Sequence, residues 1–168
     1  MNIFSKFFNK KSKKIEITKI FAPISGEIIN IEKVPDIVFS DKIVGDGIAI
    51  NPNGNIIVSP VDGIIGKIFD TNHAFSIKTN NSIELFIHFG IDTINLKGKG
   101  FIRKFNFKKT NVVKKGEIII EIDLDFLKKN AKSIYTPIII SNIDQINKIK
   151  KYTGNVIAGI DPILEIYK

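Results

Sequence analysis

The sequence predicts an all-β fold, a duplicated hybrid-motif β-sandwich or barrel with two short helices. The first observation is a series of short runs of β-branched residues separated by Gly, Pro, Asn and Asp, which is typical of sandwiches and barrels. The second is an internal repeat, in which "APISGEIINI" at 22–31 aligns with "SPVDGIIGKI" at 59–68. We therefore expect two similar β-motifs packed together.

The predicted strands follow one another along most of the chain. They lie within the segments 14–23, 26–32, 47–60, 63–69, 74–79, 83–90, 116–123 and 136–141. The segment "KKGEIIIEID" at 114–123 resembles the strand that closes hybrid sandwiches in lipoyl and biotinyl carrier domains.

Two helices are expected beside the sheets. The first is "DFLKKNAKS" at 125–133. The second is "NIDQINKIKKYTG" at 142–154, with Asn142 as N-cap, Gln145 three residues later and Gly154 as the stop.

The first fourteen residues differ from the remainder, so we divide the chain into a flexible amphipathic tail at 1–14 and a single β-sandwich domain at 15–168. On a helical wheel the apolar tail residues share one arc, opposite the lysines. They are Ile3, Phe4, Phe7 and Phe8. Such a short helix would bind an anionic membrane weakly and reversibly; the alternative is a solvated terminus.

The amino-acid composition excludes several kinds of chemistry and a membrane-spanning segment. The chain has no cysteine, which removes disulfides, thiol nucleophiles and thiolate ligands. It has no apolar stretch long enough to cross a bilayer and no signal-peptide pattern. We expect a cytoplasmic protein, associated peripherally with the inner face of the membrane through its tail.

The net charge of +8 raises the question of nucleic-acid binding. Arg103 is the only arginine, and no arginine-rich patch with stacking aromatic residues is present. The abundance of Lys, Ile and Asn is typical of AT-rich codon usage. We therefore expect no nucleic-acid partner.

The two histidines, His73 and His88, lie in apolar segments of predicted strands. Strand alternation separates a core-facing set from an outward-facing set in the later segment. The first set is Ile83, Leu85, Ile87 and Phe89, and the second is Glu84, Phe86 and His88. In the earlier segment, strand alternation would place Thr71, His73 and Phe75 on the same side of a strand. Pairing of this strand with a neighbouring one would bring the two imidazoles together.

An exposed histidine in an apolar collar suits phosphoryl transfer. Neutral imidazole is a nucleophile when one ring nitrogen carries the proton, and a second imidazole and a hydroxyl such as that of Thr71 would support the phosphoryl oxygens. A structural role for each histidine is the alternative. Two histidines alone make an incomplete zinc set, so a Zn2+ ion would need ligands from a partner protein.

Three segments carry a family resemblance. They are "GEIINIEKVPDIVFSDKIVGDGIAINP", "SPVDGIIGKIFDTNHAFSIKT" and "IELFIHFGIDTINLKGKGF". They closely resemble the glucose-specific enzyme IIA family of the phosphoenolpyruvate-dependent sugar phosphotransferase system, from about residue 15 to the C-terminus. The resemblance implies a phosphoryl carrier that requires no cofactor.

The same resemblance implies the site residues. His88 would accept the phosphoryl group, His73 would support it, Thr71 would help to orient the pair, and the backbone carbonyl of Gly90 would fix the tautomer of His88. An apolar docking ring and an acidic rim would surround them. The ring residues are Ile37, Val38, Phe39, Ile43, Val44, Phe69, Phe86 and Ile94, and the rim residues are Asp36 and Asp92.

The implied partners are the histidine phosphocarrier protein as donor and the IIB domain of a glucose-type permease as acceptor. Permeases, glycerol kinase and adenylate cyclase are further regulatory partners of such proteins, and His73 and His88 would hold a zinc ion only together with a partner. The sequence departs from the family pattern at Ser82, Ile94 and Asn95. These departures concern partner docking rather than the chemistry.

A swinging-arm carrier is the rival function. In that interpretation "SDK" at 40–42 would place Lys42 in a hairpin, ready for lipoylation or biotinylation. Such domains do not need the paired histidine segments.

Overall fold

The computed structural model describes residues 15–106 and 109–168. Fourteen strands lie in these residues. Strands β1 to β14 are Ile17–Phe21, Gly26–Asn30, Asp46–Pro52, Ile56–Val58, Gly63–Ile68, Ala74–Lys78, Glu84–His88, Phe101–Arg103, Val112–Val113, Ile118–Ile122, Thr136–Ile140, Lys148–Lys151, Asn155–Val156 and Pro162–Tyr167. Two α-helices, α1 at Ile37–Ser40 and α2 at Leu124–Asn130, accompany them, with short 3-10 turns at Ile31–Lys33, Thr93–Leu96 and Ile143–Gln145.

The strands form one large and two small antiparallel sheets. The large sheet has the order β13-β2-β3-β11-β7-β6-β5-β9, and the small sheets have the orders β1-β14-β12 and β4-β10-β8. The main core contains buried residues from all three sheets, which pack as the layers of a sandwich. The predicted all-β sandwich class is confirmed.

The internal repeat corresponds to a symmetry in the large sheet. Strands β2 and β5, which carry the two copies, are each second from an edge of that sheet. Both strands begin with a glycine, Gly26 and Gly63, where a Cβ would overlap a carbonyl of the neighbouring strand, at Asn51 and Lys78 respectively. Glycine is therefore required at both positions for close approach of the backbones.

The segment expected to close the sandwich forms β10, the central strand of the small sheet β4-β10-β8. Its residues Ile119 and Ile120 are fully buried. The analogy with carrier domains therefore identified a core strand. The short strands β8, β9, β12 and β13 and the C-terminal strand β14 were not predicted.

Helix α2 confirms the first predicted helix. Asp123 caps it, because its side chain accepts a hydrogen bond from the backbone N–H of Phe126 at 2.9 Å. The apolar residues Leu124 and Leu127 are buried against the main core. The helix is a support for the sheets, as expected.

The second predicted helix, at 142–154, is wrong. Only Ile143–Gln145 forms a 3-10 turn, and Lys148–Lys151 pairs with β14 as a strand. The side chain of Asn142 does not cap a helix. Instead its amide bonds the backbone N–H of Glu84 and the carbonyl of Ser82, so a contact with a distant segment overrides the local helix signal.

Helix α1 occupies a segment for which no helix was predicted. Asp36 is its N-cap and accepts a hydrogen bond from the N–H of Val38 at 2.8 Å. The hairpin that the rival swinging-arm interpretation required at 40–42 is absent, because Lys42 follows this helical turn. Its ammonium group is paired with Glu32 at 2.8 Å and with Asp46 at 3.7 Å.

The alternation predicted for β7 is confirmed. The core-facing residues Ile83, Leu85, Ile87 and Phe89 are buried, whereas Glu84 is exposed and Phe86 and His88 are half-buried. On this opposite side of the strand lies a second, smaller core cluster, which includes Phe39, Ile91 and Ile139 and against which Phe86 packs. The small cluster gives His88 a fixed apolar support.

The predicted tail residues Ile3, Phe4, Phe7 and Phe8 lie outside the described residues. Within 15–106 and 109–168, no helix is long and apolar enough to cross a membrane.

Candidate functional site

Strands β6 and β7 bring the two histidines together. His88 is the last residue of β7 and pairs with Ala74, the first residue of β6, so His73 directly precedes the point of pairing. The two imidazole ring centroids lie 4.9 Å apart in an edge-to-face arrangement with an interplanar angle of 76°.

The prediction that Thr71, His73 and Phe75 lie on one side of a strand is wrong. His73 lies in the turn before β6 rather than in a strand, and Asn72 has a left-handed backbone with φ of 59°. Phe75 pairs opposite Ile87 and is fully buried in the main core, while His73 meets His88 on the other side. The left-handed residue changes the direction of the chain, which simple alternation does not take into account.

The carbonyl of Gly90 fixes the tautomer of His88. The Nδ1 atom lies 2.7 Å from this oxygen. A carbonyl only accepts hydrogen bonds, so Nδ1 carries the proton and Nε2 keeps its lone pair in the neutral ring. Gly90 has φ of +68°, and a Cβ there would overlap the Thr93 methyl group and the Ser133 carbonyl.

His73 is held by the hydroxyl of Thr71, whose Oγ1 lies 2.5 Å from Nδ1 of the ring. The side chain of His73 is only 3% exposed. Both histidines therefore use Nδ1 for the hydrogen bond that orients them, which leaves Nε2 of each ring for a ligand.

Burial keeps both imidazoles neutral at pH 7. It lowers the pKa of His73 to about 4, with a smaller contribution from His88. Burial is also the largest influence on His88 and lowers its pKa, against the Gly90 hydrogen bond and the negative charges of Asp36 and Asp92, which raise it. A neutral ring with one free nitrogen is the nucleophilic form.

Three phenylalanines surround the imidazoles. Phe39 and Phe86 lie 5.3 Å and 6.0 Å from His88 between ring centroids, and Phe69 lies 5.3 Å from His73. Phe69 and Phe86 are half-buried at the edge of the site. Phe39 is 5% exposed and belongs to the small core cluster, so it forms the floor of the site.

The remaining residues expected in the docking ring are exposed. They are Ile37, Val38, Ile43, Val44 and Ile94. Four of them come from α1 and the turn after it, and Ile43 is 65% exposed. Exposed aliphatic residues close to one another in the chain form an apolar patch of the kind found at interaction sites.

The two acidic residues expected at the rim act electrostatically on His88, as its pKa indicates. Asp36 is half-buried and caps α1. Asp92 is exposed, and its carboxylate lies 4.0 Å from the ammonium group of Lys132.

The described residues supply only some of the ligands that a metal site needs. Among the described residues there is no group of three or more His, Cys, Asp or Glu side chains that could hold an ion. With Nδ1 of each ring protonated, the two Nε2 atoms would supply two of the four ligands that zinc usually takes, and the remaining ligands would have to come from another molecule.

Two basic residues contact the site but were not predicted as site residues. The ammonium group of Lys67 lies 4.7 Å from the ring centroid of Phe69. Arg103 donates hydrogen bonds to the turn that carries Thr71. The only available signal in the sequence was that Arg103 is the sole arginine.

The comparisons with known proteins agree on one family. Residues 18–146 match the family model described as phosphoenolpyruvate-dependent sugar phosphotransferase system, EIIA 1. The chain is 54% identical over 168 residues to the "PTS system glucose-specific EIIA component" of Haemophilus influenzae, with all of both chains covered. It is 57% identical over 167 residues to the component of the same name from Buchnera aphidicola of Acyrthosiphon pisum, with 99% of both chains covered.

A solved structure has the same fold. Glucose permease IIA from Mycoplasma capricolum superposes with a TM-score of 0.83 at 34% sequence identity, covering 89% of this chain and 96% of that chain.

The lowered pKa of His73 predicts its titration. We expect the midpoint for the His73 imidazole near pH 4 instead of the ordinary 6.5. The unfolded chain binds this proton below pH 6.5 and the folded chain does not, so the free energy of unfolding falls as the pH drops from about 6.5 toward 4. NMR titration of the ring protons, assigned by their loss in His73→Gln, measures the midpoint. A midpoint near 6.5 would show that the ring is not desolvated.

Proposed function

Because the chain belongs to the EIIA 1 family of the phosphoenolpyruvate-dependent sugar phosphotransferase system, we propose that this phosphoryl carrier holds its phosphoryl group on Nε2 of His88. The observation that carries the proposal is the hydrogen bond from Nδ1 of His88 to the carbonyl of Gly90. It leaves Nε2 unprotonated, beside a second imidazole and inside an apolar collar.

In the proposed step the Nε2 lone pair of His88 attacks the phosphorus of a donor phosphohistidine. A new N–P bond forms as the donor N–P bond breaks, and the bonding electrons return to the donor imidazole. His88 needs no proton acceptor because its reacting nitrogen carries no proton. Catalysis then depends on in-line positioning and on stabilisation of the phosphoryl oxygens.

His73 and Thr71 supply the stabilisation that onward transfer to the acceptor needs. When the Thr71 hydroxyl donates to Nδ1 of His73, the Nε2 atom of His73 carries the ring proton and can donate it to a phosphoryl oxygen. The ring is 4.9 Å from His88 between centroids, a separation at which a transferred group can contact both rings. A neutral donor also leaves the phosphoryl group free to depart to the next acceptor.

The exposed aliphatic residues of α1 and its following turn form the docking surface for two partners in succession. The donor is the histidine phosphocarrier protein, and the acceptor is the IIB domain of a glucose-type permease. The apolar ring supplies contact area and excludes water, while Asp36 and Asp92 attract a basic partner surface. The acidic rim stands in contrast to the net charge of +8 of the whole chain.

Further partners would use the same surface. Permeases, glycerol kinase and adenylate cyclase are regulatory candidates, and a partner carboxylate would complete a zinc site with His73 and His88. We place the protein in the cytoplasm, with weak attachment to the inner face of the membrane through the tail at 1–14.

Replacement of the accepting residue tests the central assignment. Incubation with phosphoenolpyruvate and the first two proteins of the relay should give acid-labile phosphate on the intact chain. The His88→Gln variant should give none, because it lacks the nucleophile. Full labelling of that variant would remove His88 from the mechanism.

Replacement of the supporting residue separates the two transfers. We expect His73→Gln to accept the phosphoryl group but to pass it to the IIB domain at least about 100-fold more slowly, the loss typical of removing one preorganised hydrogen-bond donor to a developing charge. Rapid-quench measurement of both transfers checks this. Onward transfer at the normal rate would reject the supporting role of His73.

The docking surface is tested by Ile43→Asp, with Ile160→Asp as a matched control. The two side chains are 65% and 64% exposed. A carboxylate at 43 would have to be desolvated in the interface, so kcat/KM for phosphoryl acceptance should fall about tenfold or more. The variant at 160 should keep the normal value. Equal effects of the two substitutions would exclude a docking role for Ile43.

A further inference from the structure

We infer that Arg103 is a positioning residue of the carrier site, which holds the turn that bears Thr71 and leads into His73. The inference rests on the proposed function for its catalytic consequence. The contacts themselves do not depend on that function.

Arg103 connects two sheets. Its backbone is the last residue of β8 and pairs with Ile120 of β10 in a small sheet. Its guanidinium group reaches the turn between β5 and β6 of the large sheet. There Nε donates to Oδ1 of Asn72 at 2.8 Å, and Nη2 donates to the carbonyl of Phe69 at 3.0 Å and, at a longer 3.5 Å, to that of Ile68.

Backbone hydrogen bonds and Arg103 together hold the turn between β5 and β6. The N–H of Phe69 bonds the carbonyl of Ala74 at 3.0 Å, and the N–H of Asn72 bonds the carbonyl of Phe69 at 2.8 Å. Asn72 has φ of 59°, a left-handed conformation that few residues other than glycine, asparagine and aspartate adopt readily. Arg103 bonds both the side chain of Asn72 and the carbonyl that closes the turn.

This turn determines the position of three site groups. Phe69 is its first residue and contacts His73 at 5.3 Å between ring centroids. Thr71 bonds Nδ1 of His73, and His73 follows Asn72 directly. Movement of the turn would therefore displace the supporting imidazole, whereas His88 is oriented separately by Gly90.

The amino-acid composition supports a specific need for arginine. The chain has 25 basic residues and Arg103 is the only arginine, so lysine occupies every other basic position. The planar guanidinium group presents several N–H donors in a fixed geometry, and an ammonium group is a compact charge on a flexible stem. Only arginine can hold the Asn72 amide and the Phe69 carbonyl together from one side chain in this planar arrangement.

The experiment compares Arg103→Ala and Arg103→Lys with Lys104→Gln as the control. Lys104 is the next residue, and its ammonium group is paired with Glu121 at 2.8 Å, away from the turn. Each intact variant is measured for phosphoryl acceptance, for onward transfer to the IIB domain, for thermal unfolding and for the pH titration of the His73 ring protons.

We expect onward transfer to fall about tenfold in Arg103→Ala, the loss typical of a misplaced hydrogen-bonding group, with acceptance changed less than twofold. The His73 midpoint should move upward as the ring becomes more solvated. Arg103→Lys should resemble Arg103→Ala in both measurements, because charge alone does not replace the planar contact. Lys104→Gln should resemble the unmodified protein.

Wild-type onward transfer and an unchanged His73 midpoint in Arg103→Ala would overturn the inference. So would equal losses in both transfers that match a loss of folded protein, because this pattern indicates a purely structural residue. Failure of the proposed function has a different signature, the absence of phosphate on His88 in the unmodified protein. In that case the NMR chemical shifts of the Thr71 and His73 backbone amides, unchanged in Lys104→Gln but displaced in Arg103→Ala, decide whether Arg103 holds the turn.

Discussion

The hydrogen bond between Nδ1 of His88 and the carbonyl of Gly90 is the interaction on which the site depends. It selects one of two tautomers that an isolated imidazole would populate, and in the proposed function it determines which nitrogen reacts. The bond in turn requires a sharp reversal of the chain after β7, where Gly90 has φ of +68° and no space for a side chain. The proposed carrier chemistry therefore depends on a backbone conformation as much as on the histidine itself.

Opposing electrostatic influences then adjust His88. Burial beside Phe39 and Phe86 lowers its pKa, while Asp36, Asp92 and the Gly90 carbonyl raise it. The acidic residues lie at the edge of an apolar surface that a partner protein would cover. The same two carboxylates can thus attract a basic partner surface, and they would also stabilise the positive charge that the His88 ring develops when it accepts a phosphoryl group.

Local patterns predicted the parts of the fold that depend on local geometry. Alternation in β7 was sufficient to place His88 on the side away from the core, because the strand has no irregularity there. The same method failed at His73, since one left-handed residue, Asn72, precedes it.

The expected helix at 142–154 failed for another reason: Asn142 bonds the segment around Glu84, almost sixty residues earlier, and no local pattern records such a contact. Helix α1 has four residues, too few for helical periodicity to be visible. The exposure of Ile43 was expected only from the family resemblance, because an aliphatic residue in a short turn has the same sequence signature in a core and on a docking surface.

The most direct test of the central claim is the position of the phosphoryl group on the imidazole. The phosphorylated protein, labelled with 15N in its histidines, can be examined by NMR for coupling between phosphorus and each ring nitrogen of His88. The hydrogen bond to Gly90 predicts coupling to Nε2, with the proton retained on Nδ1. Phosphorus bonded to Nδ1, or to either nitrogen of His73, would contradict this account of the site.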